Sequence, residues 1–90
     1  MATDRRYRIL AVDDELDALD VLAEALEEAY EVVTASSGQQ ALELLRAEPF
    51  DLLITDQRMP HITGIQLSEE AKRINPDMVR IILTGYTEPR

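Results

Sequence analysis

The sequence predicts an α/β fold, a parallel sheet whose strands are joined by crossover helices. Three observations predict it. Short aliphatic runs alternate with longer segments whose apolar residues recur every three or four positions, giving the order βαβαβαβ. The run Leu52-Leu53-Ile54 is apolar at consecutive positions, as in a strand covered on both faces. Two of the strand-like runs end on acids, where open parallel sheets place their ligands. Crossovers of this kind are right-handed, and there is no internal repeat or low-complexity stretch.

Ninety residues allow one domain, and a chain this short buries only roughly two-thirds of its unfolded surface. With 46% hydrophobic and 30% charged residues the chain is globular rather than disordered. Cysteine is absent, which excludes disulfides and thiolate metal sites. No apolar run approaches bilayer-spanning length and the first residues lack the apolar core of a signal peptide, so a cytoplasmic protein without membrane contact is expected. The net charge is −9, and from Ile9 through Leu45 there are ten acids and no lysine or arginine. Such a field repels phosphates, so direct nucleic-acid binding is not expected.

The first strand spans about residues 7–12 and ends at Asp13-Asp14, with Arg5, Arg6 and Arg8 as a solvent-facing lead-in. A helix over 14–30 follows, turning Leu16, Leu19, Leu22 or Ala23, Leu26 and Tyr30 inward and placing Asp14, Glu15 and Asp17 at its positive end. Residues 31–35, with β-branched Val32, Val33 and Thr34, form the second strand. Ser36-Ser37-Gly38 supplies turn and cap chemistry for a helix over 38–48, which presents Ala41, Leu42 and Leu45 and stops at Pro49. The third strand covers 51–55. The loop from Asp56 to Gly64 is long for a strand-to-helix connection, and ordered loops of that kind are usually functional. A third helix over 65–74 offers Ile65, Leu67, Ala71 and Ile74 to the core, Asn75-Pro76-Asp77 breaks it, and the fourth strand covers 78–84.

If the first and third strands are neighbours, Asp13, Asp14 and Asp56 converge. Like charges so close need a counter-ion. An all-oxygen set of this kind suits Mg²⁺, completed by water and phosphate, whereas one histidine and no cysteine make zinc a poor fit. With charge neutralised there, an aspartate can attack phosphorus to give an aspartyl phosphate. Thr84, at the end of the fourth strand and followed by Gly85, would offer a hydroxyl to the transferred group. His61 has no second histidine near it and reads as a surface loop residue; Met59 reads as packing. A phosphatase using an aspartyl nucleophile needs a second acid two residues on, and position 58 is arginine.

The run Asp56-Gln57-Arg58-Met59-Pro60-His61-Ile62-Thr63-Gly64 resembles the D-x-x-M-P-x-x-x-G pattern of bacterial response-regulator receiver domains. Val12-Asp13-Asp14-Glu15 resembles their acidic pair, and Leu83-Thr84-Gly85 their fourth-strand threonine with its small neighbour. The resemblance implies a flavodoxin-like, doubly wound sheet of strand order 2-1-3-4-5. It implies that Asp56 is the phosphoacceptor, charged by a sensor histidine kinase or phosphotransfer domain. Asp14, Asp56 and the backbone carbonyl of Arg58 would ligate Mg²⁺, Asp13 would act through a metal-bound water, and Thr84 would be the switch hydroxyl. The module would be a switch for an output domain and not a turnover enzyme. Asp-Gln-Arg-Met-Pro and Thr-Gly-Tyr look most like receivers joined to transcription activators or cyclic-dinucleotide phosphodiesterases. Receivers continue through a fourth helix, a fifth strand carrying a lysine, and a fifth helix. Lys72 falls in the third helix and Tyr86 in the fourth-strand loop, so neither takes the place of the fifth-strand lysine and aromatic. The expectation is an incomplete receiver over 1–90, ending after its fourth strand and completed by other elements. The alternative expectation is an interaction module that dimerises through that exposed strand.

Overall fold

The computed structural model describes residues 6–83, which form β1 (Arg8–Val12), α1 (Leu16–Glu27), β2 (Glu31–Ala35), α2 (Gly38–Ala47), β3 (Leu52–Asp56), α3 (Gly64–Ile74) and β4 (Val79–Leu83). All strand pairs are parallel and their order is β2-β1-β3-β4, a flavodoxin-like α/β sheet. β1 lies inside the sheet, and it is apolar from Ile9 to Val12. Alternate side chains of a strand face opposite sides, and Ile9, Leu10, Ala11 and Val12 are each no more than 1% exposed, so both sides are covered.

The two sides are covered unequally. α1 lies against β1 and β2, while α2 and α3 pack together on the opposite face. That opposite face carries the main core: Leu10, Val12 and Leu53 from the sheet, Ala41, Leu42 and Leu45 from α2, and Leu67 and Ala71 from α3. Full burial of a leucine side chain stabilises by about 1.5–3 kcal/mol, so this layer is the main source of stability. Both helices start on real caps. The Ser37 hydroxyl accepts from the Gln40 N–H at 3.1 Å, and Thr63 with Gln66 forms a reciprocal capping box.

Helix α1 is shorter than its periodicity predicts. Glu15 is its N-cap without a side-chain cap bond, and residues 28–30 form a turn. Asp13 Oδ1 accepts the Glu15 N–H at 3.0 Å, which holds the acidic pair in a turn before the helix, so Asp14 lies outside it. Only Leu19 and Ala23 of α1 are fully buried; Leu16 is exposed, and Tyr30 lies beyond the helix and is also exposed. Ile65, expected in the core, is exposed as well, because Leu67 and Ala71 define the inward stripe of α3. Met59 is buried in the core cluster, as packing predicts.

Arg8 corrects the picture of a wholly solvent-facing basic lead-in. Its guanidinium reaches Glu48 Oε1 at 2.8 Å, the Pro49 carbonyl at 2.8 Å and Glu31 Oε2 at 3.2 Å, and sits 4.7 Å from the centre of the Phe50 ring. Its backbone N–H donates to Asp51 Oδ2 at 2.8 Å. The arginine therefore ties the end of α2 to the starts of β1 and β2, through hydrogen bonds, ion pairs and a cation–π contact.

Strand β4 follows the alternation of a half-covered strand. Arg80 and Ile82 turn toward α3 and are half-buried, while Val79, Ile81 and Leu83 are exposed. Among the described residues no strand pairs with its outer edge. No helix among the described residues is long and apolar enough to cross a membrane.

The start of α3 lies directly against the end of β3. A Cβ added to Gly64 would stand 2.5 Å from the Asp56 carbonyl oxygen and 2.9 Å from the Gln57 Cα, both backbone atoms that cannot swing away. Gly64→Ala is expected to destabilise the fold by about 1–3 kcal/mol, the usual cost of overpacking, read as a lower urea midpoint at unchanged slope. A midpoint equal to that of the parent chain would show that this junction has slack.

Candidate functional site

Register builds the site. Val12 is paired with Thr55 in the β1–β3 ladder, so the next residue of each strand, Asp13 and Asp56, emerges at the same level of the sheet. The Asp13 N–H donates to the Ala35 carbonyl at 3.2 Å, extending the β1–β2 ladder by one bond and fixing where the acidic pair leaves the sheet. Asp56 is itself the last residue of β3 and is paired with Leu83 of β4. It is therefore held by strand geometry rather than by a flexible loop.

One carboxylate oxygen from each of Asp13, Asp14 and Asp56 lies within 4.8 Å of the others. Asp14 is exposed, while Asp13 and Asp56 are half-buried. Burial raises the Asp56 carboxyl above the ordinary carboxylate range, and the charges of Asp13 and then Asp14 push it the same way. The backbone N–H groups of Gln57 and Arg58, next along the chain, oppose that rise. The donor set is all oxygen and carries excess negative charge, which is the chemistry a hard divalent cation requires. Mg²⁺ fits these residues on that ground.

The sequence candidates divide clearly. Asp13, Asp14 and Asp56 come together. Arg58 is the second residue after the strand, with its side chain exposed. Thr84 and Tyr86 lie outside the described residues. His61 is exposed and takes a left-handed backbone conformation, with φ of 70°, which bends the loop beyond Pro60. Lys72 is exposed on α3, away from the strand ends.

Sequence reasoning missed Gln57. Its N–H donates to the Leu83 carbonyl at 3.2 Å, its carbonyl accepts from the Gly64 N–H at 3.1 Å, and its side-chain Oε1 accepts from the Ile65 N–H at 2.8 Å. A glutamine after a strand carries no sequence signal for a bond to a residue eight positions away. Thr55, fully buried beneath the site, donates its hydroxyl to the Asp56 carbonyl at 2.9 Å and also faces the Met59 sulfur at 3.9 Å. The loop is thus tied at both ends.

Comparison with known proteins agrees with this geometry. A family model described as the response regulator receiver domain matches residues 9–90. The hydrogenase transcriptional regulatory protein HoxA of Cupriavidus necator is 38% identical over 86 residues, covering 96% of this chain, which spans only 18% of that regulator's length. The response regulator receiver protein CpdR of Brucella abortus is 42% identical over 80 residues, covering 88% of this chain and 67% of CpdR. The crystal structure of the response regulator TrrA of Thermotoga maritima, in complex with Mg²⁺ and BeF, is 40% identical with a TM-score of 0.84, covering 90% of this chain and 71% of TrrA.

The raised Asp56 carboxyl sets a pH dependence. Its folded-state pKa exceeds the unfolded one, so ionised Asp56 costs the fold stability above the folded pKa. That cost fades as pH falls through the folded pKa and vanishes below the unfolded one, near about pH 4. Asp56→Asn is therefore expected to raise the thermal midpoint in metal-free buffer at neutral pH, with the gain shrinking on acidification. A gain that grows toward acid would contradict this assignment.

Proposed function

The chain belongs to the response regulator receiver domain family, a family of two-component signalling modules rather than classical enzymes, and on that premise we propose that it is a phosphoacceptor switch charged on Asp56. The observation that carries the reading is the cluster of Asp13, Asp14 and Asp56 at the ends of two paired strands. A carboxylate oxygen of Asp56 attacks the phosphorus of a phosphohistidine on a sensor kinase or phosphotransfer domain. The O–P bond forms, the P–N bond breaks, and the imidazole nitrogen keeps the electron pair and takes up a proton. The product is an acyl phosphate on β3.

The chain's own groups divide this work. Burial and then the neighbouring acids raise the Asp56 carboxyl, while the backbone of Gln57 and Arg58 opposes that rise. Asp13, Asp14, Asp56 and the Arg58 carbonyl would hold Mg²⁺, which when bound offsets charge on the transferred oxygens. The TrrA complex supports that choice of ion, since it carries Mg²⁺ with BeF. Thr84 would receive a phosphoryl oxygen at the end of the fourth strand. The added charge of about two units and its acceptor oxygens bias a two-state surface, which passes to an output domain. The HoxA relative is a transcriptional regulator, and we assign this module a cytoplasmic role in regulation of that kind.

A second reading is favoured by one feature. Val79, Ile81 and Leu83 are exposed on β4, beside an apolar groove of about 550 Å³ that also takes in Tyr7, Tyr30 and Ile54. An edge strand with such a face can pair with another copy, making the chain an interaction module.

Each reading has its own measurement. Incubation with Mg²⁺ and a small-molecule phosphodonor is expected to add one phosphoryl group by intact mass, absent in Asp56→Asn and slowed about a hundred-fold or more by chelation. An adduct that survives Asp56→Asn overturns the acceptor assignment. For the second reading, sedimentation is expected to show concentration-dependent dimers that Ile81→Lys abolishes; a monomer at every concentration rejects it.

A further inference from the structure

One residue of the acceptor loop takes the first two N–H groups of α3. The first four N–H groups of a helix have no partner within it and must find one outside. Here Gly64 N–H goes to the Gln57 carbonyl and Ile65 N–H to the Gln57 side-chain oxygen, whereas Gln66 and Leu67 N–H go to Thr63. The third tie, from the Gln57 N–H to the Leu83 carbonyl, joins the same residue to the end of β4. Gln57 is covalently next to Asp56, and its backbone opposes the rise of the Asp56 carboxyl. The helix start lies close against the same segment, since a Cβ on Gly64 would stand 2.5 Å from the Asp56 carbonyl oxygen.

We propose that Gln57 is the positioning residue of this site: its side-chain amide oxygen holds the Asp56–Gln57–Arg58 backbone in the orientation that aims the Asp56 carboxylate for phosphoryl transfer. The inference rests on the reading of Asp56 as phosphoacceptor. The physical reason is leverage. The peptide units after Asp56 carry the N–H groups that oppose the rise of its carboxyl, and a peptide clamped at both its carbonyl and its side chain cannot rotate freely. Without the side-chain bond, the Ile65 N–H turns to water and the loop gains a degree of freedom where the reacting oxygen is aimed. Glutamine suits the task because its reach spans the gap to the second residue of the helix while its uncharged amide adds no repulsion to the acidic cluster.

Two variants of the full chain separate positioning from mere support of α3. Gln57→Met keeps the length and removes the acceptor oxygen. Thr63→Ala removes the capping hydroxyl of the same helix and leaves Gln57 intact. Rates of Asp56 phosphorylation by a small-molecule phosphodonor with Mg²⁺ are compared well below each thermal midpoint, alongside hydrogen exchange of the Ile65 amide. Gln57→Met is expected to slow phosphorylation at saturating donor about ten-fold and to speed Ile65 exchange, with Gln57→Glu, which restores an acceptor oxygen, recovering the slow exchange. Thr63→Ala is expected to lower the thermal midpoint comparably but to phosphorylate at the parent rate. Equal slowing in both variants, or a parent-like rate in Gln57→Met while the parent chain is phosphorylated normally, overturns the inference and leaves the acceptor reading standing. A parent chain with no adduct on Asp56 overturns the acceptor reading, and the inference falls with it.

Discussion

Everything at the site depends on the parallel pairing of β1 with β3. The ladder runs from Ile9↔Leu52 to Val12↔Thr55, and a slip of one residue would turn every buried side chain to the opposite face. The register is therefore set by the core: Leu10, Val12 and Leu53 must all reach α2 and α3. Hydrophobic packing along the strands thus places two acidic strand ends side by side, an arrangement that electrostatics alone would oppose.

That opposition is what gives the site its chemistry. Asp13, Asp14 and Asp56 are brought together against their own repulsion; burial first, and those charges second, raise the Asp56 carboxyl, and the cluster leaves a place for a cation. The cost of holding the acids together is met by burial elsewhere, chiefly Ile9 to Val12 and the α2–α3 layer. A site strained in this way responds to any ligand that relieves it, and relief can be passed on only through atoms tied to it. Two such ties leave Asp56 at once, one to the start of α3 through Gln57 and Gly64, the other to the end of β4 through Leu83.

The two sides of the sheet differ in kind. The α2–α3 side is closed and carries the core. The α1 side is covered over β1 and β2 only, leaving Ile54 and Ile81 beside an open apolar groove among the described residues. The closed face carries the core, and the open face is the one on which the proposed association through β4 would act.

The order of elements, the parallel sheet and the three carboxylates could be read in the chain itself. Local periodicity is written in consecutive residues such as Leu52-Leu53-Ile54, and an acid after such a run marks a strand end without reference to anything distant. What could not be read was decided by contacts across the chain. Arg8 looks like solvent-facing charge until Glu31, Glu48 and Phe50 close around it. Leu16 and Ile65 fit a helical stripe but fall on exposed sides, because the inward direction of a helix is set by the sheet it meets. Gln57 has no local mark at all; its role appears only once α3 starts against the Asp56 carbonyl. The sequence by itself determined which residues form strands and helices and which acids end them, since those are properties of near neighbours. Only the tertiary structure decided which side chains are clamped, buried or left open, since those depend on register and on contacts between residues far apart in the chain.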